Sequence, residues 1–302
     1  YPLLSMPLFW MGLMLEVKRI AVIGAGLMGH GIAQIAAQFA KFDVYLVDVK
    51  QEFLDKGLAM INDSLQRFLK KGIITDSQMK ETLERIHPTL SLKEAVAGAD
   101  MVIEAAPENV KLKKDLFSEI DKLAKPEAIF ATNTSSISIT ELASATKRPE
   151  KFCGMHFFNP PQLMKLVEII RGVRTSDETV TVAVEAAKKM DKEPIVVKKD
   201  SPGFVVNRIL VPALNEAVSL VWEGVAEPEE VDKAVRLALN WPMGPLYLLD
   251  FLGLDTHLAI CEVFRENLGD KYSPPLLLRQ MVRANLLGRK TGKGFYDWTQ
   301  KK

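Results

Sequence analysis

A short apolar run at residues 18–23 feeds straight into Gly24-Ala25-Gly26-Leu27-Met28-Gly29, and then into the apolar spacing of Ile32, Ala33, Ile35 and Ala36. Few folds accept such a segment, because it needs a buried strand, a tight turn and a helix start within twelve residues. Gly24 permits the turn, Gly26 lets the backbone approach a pyrophosphate, and Gly29 allows the helix to pack close to the strand. With Leu27 and Met28 they form the expected phosphate-facing loop, since a helix N-terminus offers unpaired N–H groups to an anion. A second apolar strand, residues 44–47, ends in Asp48, nineteen positions after Gly29 (48 − 29). An acidic residue at that spacing accepts from the ribose hydroxyls of a dinucleotide. Asp48 also repels a 2′-phosphate, which favours NAD over NADP, although Lys50 lies near enough to blunt the preference.

The chain has 302 residues, longer than one mononucleotide-binding unit needs, so two domains are expected. With 39 basic against 38 acidic residues, nothing points to nucleic acid or an anionic membrane surface. Cys153 and Cys261 make no CxxC pair, so neither a disulfide framework nor a zinc site is expected, and a cytoplasmic, reducing compartment fits. Residues 1–16 form an apolar extension, too short to span a bilayer and without a basic leader or cleavage signature. No other segment reaches transmembrane length.

Chemistry concentrates in Met155-His156-Phe157-Phe158-Asn159-Pro160-Pro161, followed by Lys165-Leu166-Val167-Glu168. Two apolar runs flank a turn too rich in proline for helix. If the runs fold back on one another, Glu168 approaches the imidazole of His156. A carboxylate on one ring nitrogen fixes the tautomer and leaves the other as an acceptor, as a general base for an alcohol proton requires. Taken alone, such a pair reads first as a buried histidine with a structural glutamate.

Helical patterns are expected at residues 52–69 and 77–85, the second capped by Asp76, as a pair projecting from the sheet. The βα alternation resumes with a strand at 100–104, a helix at 111–123 and a strand at 128–132. The polar Asn133-Thr134-Ser135-Ser136 follows, at a strand end where ligands bind or as a helix-capping turn. A helix at 177–190 and a strand at 195–197 precede the turn cluster Asp200-Ser201-Pro202-Gly203. That cluster divides residues 17–200 from 201–302, where helices are expected from Val206 and at 228–239, 253–268 and 275–286.

GAGLMG, Asp48, AAPENVKLKKDLF, NTSS, HFFNPP…MKLVE, SPGFVVNR, PMGP…LLDFLGLD and GRKTGKGFY, in this order, closely resemble the L-3-hydroxyacyl-CoA dehydrogenase and 3-hydroxybutyryl-CoA dehydrogenase family over about residues 17–298. The resemblance implies an α/β fold: a Rossmann-like NAD domain with an inserted helix pair, and an all-α C-terminal domain that forms a homodimer. It implies reversible NAD-dependent oxidation of an (S)-3-hydroxyacyl-CoA, in fatty-acid β-oxidation or butyrate-type metabolism, with His156 as base and Glu168 as its electrostatic partner. Ser135 and Asn207 would bind the substrate oxygen. Ser135, Asn159, Glu108, Lys113 and Lys290 match cofactor-contacting positions, and Ser64 and Lys71 match CoA-contacting ones. No metal is implied. Pro161-Gln162 departs from the family pattern in the turn between the paired residues. A hydratase module, joined to this one in some relatives, is not expected here. A non-catalytic NAD-binding structural protein of the same fold is the alternative.

Overall fold

A parallel strand covered on both faces reads as an unbroken apolar run, and the runs anticipated above become the centre of one sheet. The computed structural model describes residues 15–299, which divide into two units, the first ending at Ser201 and the second beginning at Pro202. In the first, strands β1 (Arg19–Ile23), β2 (Asp43–Val47), β3 (Ile86–Thr89), β4 (Met101–Glu104), β5 (Ile129–Thr132), β6 (Phe152–Phe157), β7 (Leu166–Arg171) and β8 (Glu193–Val197) lie in the order β3-β2-β1-β4-β5-β6-β7-β8. Only β6 and β7 run antiparallel. The order reverses between β1 and β4, which opens a crevice beyond their carboxyl ends.

Helix α1 (Gly29–Gln38) lies wholly inside the unit, every residue of it buried. Helices α2 (Gln51–Lys70) and α3 (Asp76–Glu84) follow. They do not stand clear of the sheet as the sequence led us to expect. Leu54, Ile61, Leu65, Phe68, Ile74 and Met79 join the same core as α1 and the strands. At Gly57, a Cβ would come within 2.7 Å of the Ala25 carbonyl oxygen, so α2 lies directly against the glycine-rich turn. The cap of α3 is Thr75 and not Asp76. Thr75 accepts from the Gln78 N–H, and the Gln78 side chain accepts from the Thr75 N–H, a reciprocal box that satisfies two helix-start donors.

The short strand β3 and helix α4 (Leu92–Ala97) were not anticipated. Beyond them come α5 (Val110–Leu123), α6 (Ile139–Ala143) and α7 (Asp177–Lys189). The helix after β5 is capped by Ser138 and not by the Asn133–Ser136 turn. Val17 is buried and Leu15 packs on the core, so the ordered body starts slightly before residue 17. The rest of the apolar extension, residues 1–14, lies outside the described residues.

The second unit contains α8 (Val206–Trp222), α9 (Pro228–Leu239), α10 (Pro245–Leu252), α11 (Leu254–Leu268) and α12 (Leu276–Arg283). Val211, Leu214, Val218, Leu246, Leu249 and Phe264 form its core. Inside it, His257 Nε2 donates to Asn215 Oδ1 at 2.9 Å, and Cys261 Sγ donates to the same oxygen at 3.3 Å.

Burial depresses the His257 pKa from 6.5 to about 4. Because the folded value is the lower one, this site is fully compatible with folding above pH 6.5 and opposes it increasingly as pH falls toward 4. A shift of this size amounts to on the order of 3 kcal/mol at the acid end. We expect thermal unfolding of the second unit to move down steeply between pH 6.5 and 4. His257→Gln, which keeps a donor near the Nε2 position, should flatten that limb. Parallel acid limbs for the two proteins would mean that other groups drive it.

Candidate active site

The glycine-rich turn is built by contacts that tolerate no side chain. Gly24 has φ +103°, and a Cβ there would meet the Ala105 carbonyl oxygen at 2.7 Å. At Gly29 a Cβ would lie 1.7 Å from the Gly24 oxygen, so helix and strand can meet only through glycine. The Cβ position of Gly26, in contrast, has nothing within 4 Å, and Leu27 is exposed. The turn is therefore closed behind and open in front, the form needed for a backbone that receives a pyrophosphate. Asp48 Oδ2 accepts from the Ala25 N–H at 2.8 Å and Oδ1 from the Val49 N–H at 2.7 Å. Each oxygen keeps acceptor capacity for a ribose hydroxyl. Lys50 lies over the Phe53 ring, 5.5 Å from its centre. These residues fit an adenine dinucleotide.

Across the crevice, the ends of β4 and β5 carry a buried polar network. Glu104, inaccessible to solvent, accepts from Lys113 Nζ at 2.6 Å, from Thr132 Oγ1 at 2.6 Å and from the Ala106 N–H at 2.7 Å. Lys113, itself 1% exposed, also donates to the Ala106 carbonyl at 3.0 Å and pairs with Glu108 at 3.5 Å. Glu108 in turn accepts from Thr134 Oγ1 at 2.5 Å, the Ser135 N–H at 3.1 Å and Ser136 Oγ at 3.1 Å. Burial alone would raise the Glu108 carboxyl, but Lys113 and these donors outweigh it and hold the pKa below the usual value. Ser135 thus sits on a loop whose backbone is tied to an anionic Glu108. Glu104, Thr132 and Thr134 were not singled out from sequence. A carboxylate closing the otherwise apolar run Met101–Glu104 was the signal available.

The strands β6 and β7 fold back so that His156 and Glu168 are direct cross-strand partners. His156 Nδ1 lies 2.7 Å from Glu168 Oε2, with Glu168 fully buried and His156 6% exposed. The Phe158 ring packs at 4.6 Å from the imidazole. Asn133, at the end of β5, accepts from the Phe157 N–H at 2.9 Å and so ties the polar loop to the strand carrying His156. The turn between the strands holds the exposed Asn159. Lys192 Nζ, buried, donates to the Pro161 carbonyl at 2.7 Å and to that of Met164 at 3.0 Å, and burial pushes its pKa down to about 8. Neither Lys192 nor its role in holding the turn was read from sequence.

The other anticipated residues are more dispersed. Ser64 is buried on the inner stripe of α2, whereas Lys71, at its C-cap, is exposed. Asn207 is the second residue of α8, in the second unit. Lys290, also in that unit, lies in a 3₁₀ turn and pairs with Asp255 at 2.5 Å. Among the described residues no cluster of His, Cys, Asp and Glu could hold a metal.

The NAD-binding domain of 3-hydroxyacyl-CoA dehydrogenase matches residues 19–201, and the C-terminal domain of the same family matches residues 203–298. The probable 3-hydroxybutyryl-CoA dehydrogenase of Deinococcus radiodurans is 55% identical over 281 residues, covering 93% of this chain and all of that protein. The mitochondrial hydroxyacyl-coenzyme A dehydrogenase of Sus scrofa is 43% identical over 289 residues, 93% of this chain and 91% of that one. The crystal structure of (S)-3-hydroxybutyryl-CoA dehydrogenase from Ralstonia eutropha superposes with a TM-score of 0.91 at 46% identity, covering 94% of this chain and all of that one. With both domain models matched in order along one chain, on a Rossmann-like sheet followed by a helical unit, this protein belongs to the 3-hydroxyacyl-CoA dehydrogenase family of NAD-dependent oxidoreductases.

Proposed function

We propose that the protein interconverts (S)-3-hydroxyacyl-CoA and 3-ketoacyl-CoA, with His156 as general base and Glu168 as its partner. The observation that carries this reading is the His156 Nδ1–Glu168 Oε2 contact of 2.7 Å in a buried cross-strand pair. With Nδ1–H donating to the carboxylate, Nε2 is the basic nitrogen and can take the proton from a 3-hydroxyl group. NAD, when bound, supplies the hydride acceptor. Glu168 stabilises the imidazolium that results, and low solvent access strengthens that stabilisation. Ser135 and Asn207 donate to the substrate oxygen as its charge changes. Asn159, Lys113, Glu108 and Lys290 serve the cofactor side, Lys113 and Glu108 through the Ser135 loop they brace.

The second unit exposes Ile209, Trp222, Val225, Leu237 and Leu239. Apolar surface of that extent in an all-helical unit supports a homodimer formed through it. The described cysteines are both buried and unpaired, and among the described residues no helix is long and apolar enough to cross a membrane. Both fit our assignment to the cytoplasm. β-Oxidation and butyrate-type metabolism both need this reaction.

NADH oxidation with acetoacetyl-CoA tests the assignment directly, and an inactive, folded protein that binds NADH would instead support a structural role. We expect His156→Gln to lower kcat by roughly 10²–10⁴-fold while NADH binding survives. Glu168→Gln should also impair turnover, and the double variant should lose far less than the two effects combined, because the pair acts as a unit. Near-normal turnover by His156→Gln would remove it from the chemistry.

Cofactor choice should follow Asp48. The wild type should use NADH better than NADPH, and Asp48→Ala should narrow the gap by relieving repulsion of the 2′-phosphate. A wild-type preference for NADPH would show that Lys50 or another cation dominates.

The near-neutral chain must hold the CoA phosphates with local cations, and α2 exposes Lys56, Arg67, Lys70 and, at its end, Lys71. Lys71→Ala should raise KM for acetoacetyl-CoA with kcat nearly unchanged, by an amount on the order of 1 kcal/mol in binding, since a remote, solvent-screened charge contributes modestly. The effect should shrink with a thioester lacking the nucleotide. Equal losses with both thioesters would place the CoA handle elsewhere.

A further inference from the structure

The turn between the dyad strands carries Pro161-Gln162, the departure from the family pattern, and Gln162 is engaged in a specific way. Its Nε2 lies 3.2 Å from His30 Nε2 and 3.2 Å from Gln34 Oε1. His30 Nδ1 lies 2.9 Å from the carbonyl oxygen of Gly26, inside the glycine-rich turn. Gln34 Nε2 continues the chain to Gln38 Oε1 at 3.0 Å. We propose that His30 and Gln162 are positioning residues that strap the pyrophosphate turn to the hairpin carrying His156, setting the register between the two ends of the NAD site.

One backbone oxygen determines the direction of every bond in this chain. The Gly26 carbonyl can only accept, so His30 Nδ1 carries the proton and Nε2 of the neutral ring can only accept. Gln162 must then present its amide nitrogen, and its second N–H serves Gln34 Oε1, whose own amide serves Gln38. The arrangement is consistent from end to end. Burial keeps the His30 pKa below its usual value, in keeping with a neutral ring. Gln34 and Gln38 are buried, His30 is 6% exposed and Gln162 is half-buried, so the inner end of the chain is sheltered from competing water.

Each end of the strap touches something the dinucleotide needs. The Gly26 oxygen also accepts from the His30 backbone N–H at 3.1 Å. Because the peptide unit is planar, holding that oxygen on the α1 side aims the Leu27 N–H the opposite way. Leu27 is exposed and the front of Gly26 is open, so this N–H is one of the donors available to a pyrophosphate. At the other end, Gln162 is three residues past Asn159 and six before Glu168. The contact is close-fitting: at Gly31 a Cβ would meet Gln162 Oε1 at 2.9 Å and Pro161 at 3.0 Å. The strap therefore adds a directional bond through one amide to the close fit of the hairpin turn against α1. A displacement of about 1 Å between cofactor and base is enough to slow a reaction by roughly 10²-fold.

This deepens the dehydrogenase reading and rests on it, and the test separates the two. Histidine labelled with ¹⁵N reports the tautomer in a chain with only four histidines. His30 should carry its proton on Nδ1, both without and with NADH. Gln162→Leu should perturb the Nε2 resonance, leave NADH affinity within about twofold, and slow single-turnover reduction of acetoacetyl-CoA at saturating NADH by about tenfold. His30→Asn keeps a donor for Gly26 but cannot reach Gln162, so it should reproduce that split. His30→Ala should lose both, weakening NADH by about two- to tenfold, the worth of one neutral hydrogen bond. An Nε2–H or protonated His30 at pH 7.5, or unchanged single-turnover rates in Gln162→Leu and His30→Asn, would overturn the strap. If His30→Ala does not fold, the other two variants and the tautomer still decide. A wild type inactive on acetoacetyl-CoA would overturn the dehydrogenase reading, while NADH titrations and the tautomer would still judge the Gly26 end.

Discussion

The carboxyl end of this sheet depends on one ion pair that water does not reach, Lys113 with Glu104. Charges taken out of water are tolerated only when every lone pair and proton is used, and breaking such a pair from one side typically costs about 3–5 kcal/mol. Here Glu104 is satisfied by Lys113, Thr132 and the Ala106 N–H, and Lys113 by Glu104, Ala106 and Glu108. The pair therefore joins the loop after β4 to the end of β5 and to the first turn of α5. Glu108 extends the network outward to Thr134, Ser135 and Ser136. The loop that carries Ser135 gains its rigidity from this buried network below it.

The single antiparallel neighbour in the sheet has a comparable consequence. In a parallel pair, the partner of His156 would come from a distant part of the chain. Reversing β7 against β6 makes residues twelve apart direct partners, and the side-chain period of two places both on one face. That is why the dyad was legible as two apolar runs around a proline turn. The glycine turn and Asp48 were legible for a similar reason: the glycine spacing and the acidic residue that mark them lie within one βαβ unit.

What escaped the sequence reading is nonlocal or short. Strand β3 contains Pro88 and carries only four residues, too few for a period to show. Helix α4 has six. Thr75 and Asp76 are adjacent, and both are good caps; the Gln78 side chain reaching back to the Thr75 N–H is what decides between them. The inserted helices looked like an appendage because they interrupt the βα alternation, yet the apolar stripe of α2 joins the core that holds α1. Gln162 and His30 are 132 positions apart, so no local pattern pairs them.

The same geometry explains why one side of the dinucleotide site is more sharply specified than the other. Behind the turn, Gly24 and Gly29 leave no room even for a methyl group, and Asp48 is held by two backbone N–H groups. The glycine constraints are backbone against backbone, and a side chain cannot relax them. Around the His156–Glu168 pair, His156, Asn133 and Ser135 are placed by side-chain hydrogen bonds with Glu168, Phe157 and Glu108. Side-chain placement can be retuned by single substitutions at the surrounding shell without disturbing the phosphate turn. A chain built this way can keep its cofactor while its substrate side changes, provided something holds the two sides in register. Polar contacts that cross between them, such as those of Gln162 with His30 and Gln34, are where that register is physically maintained.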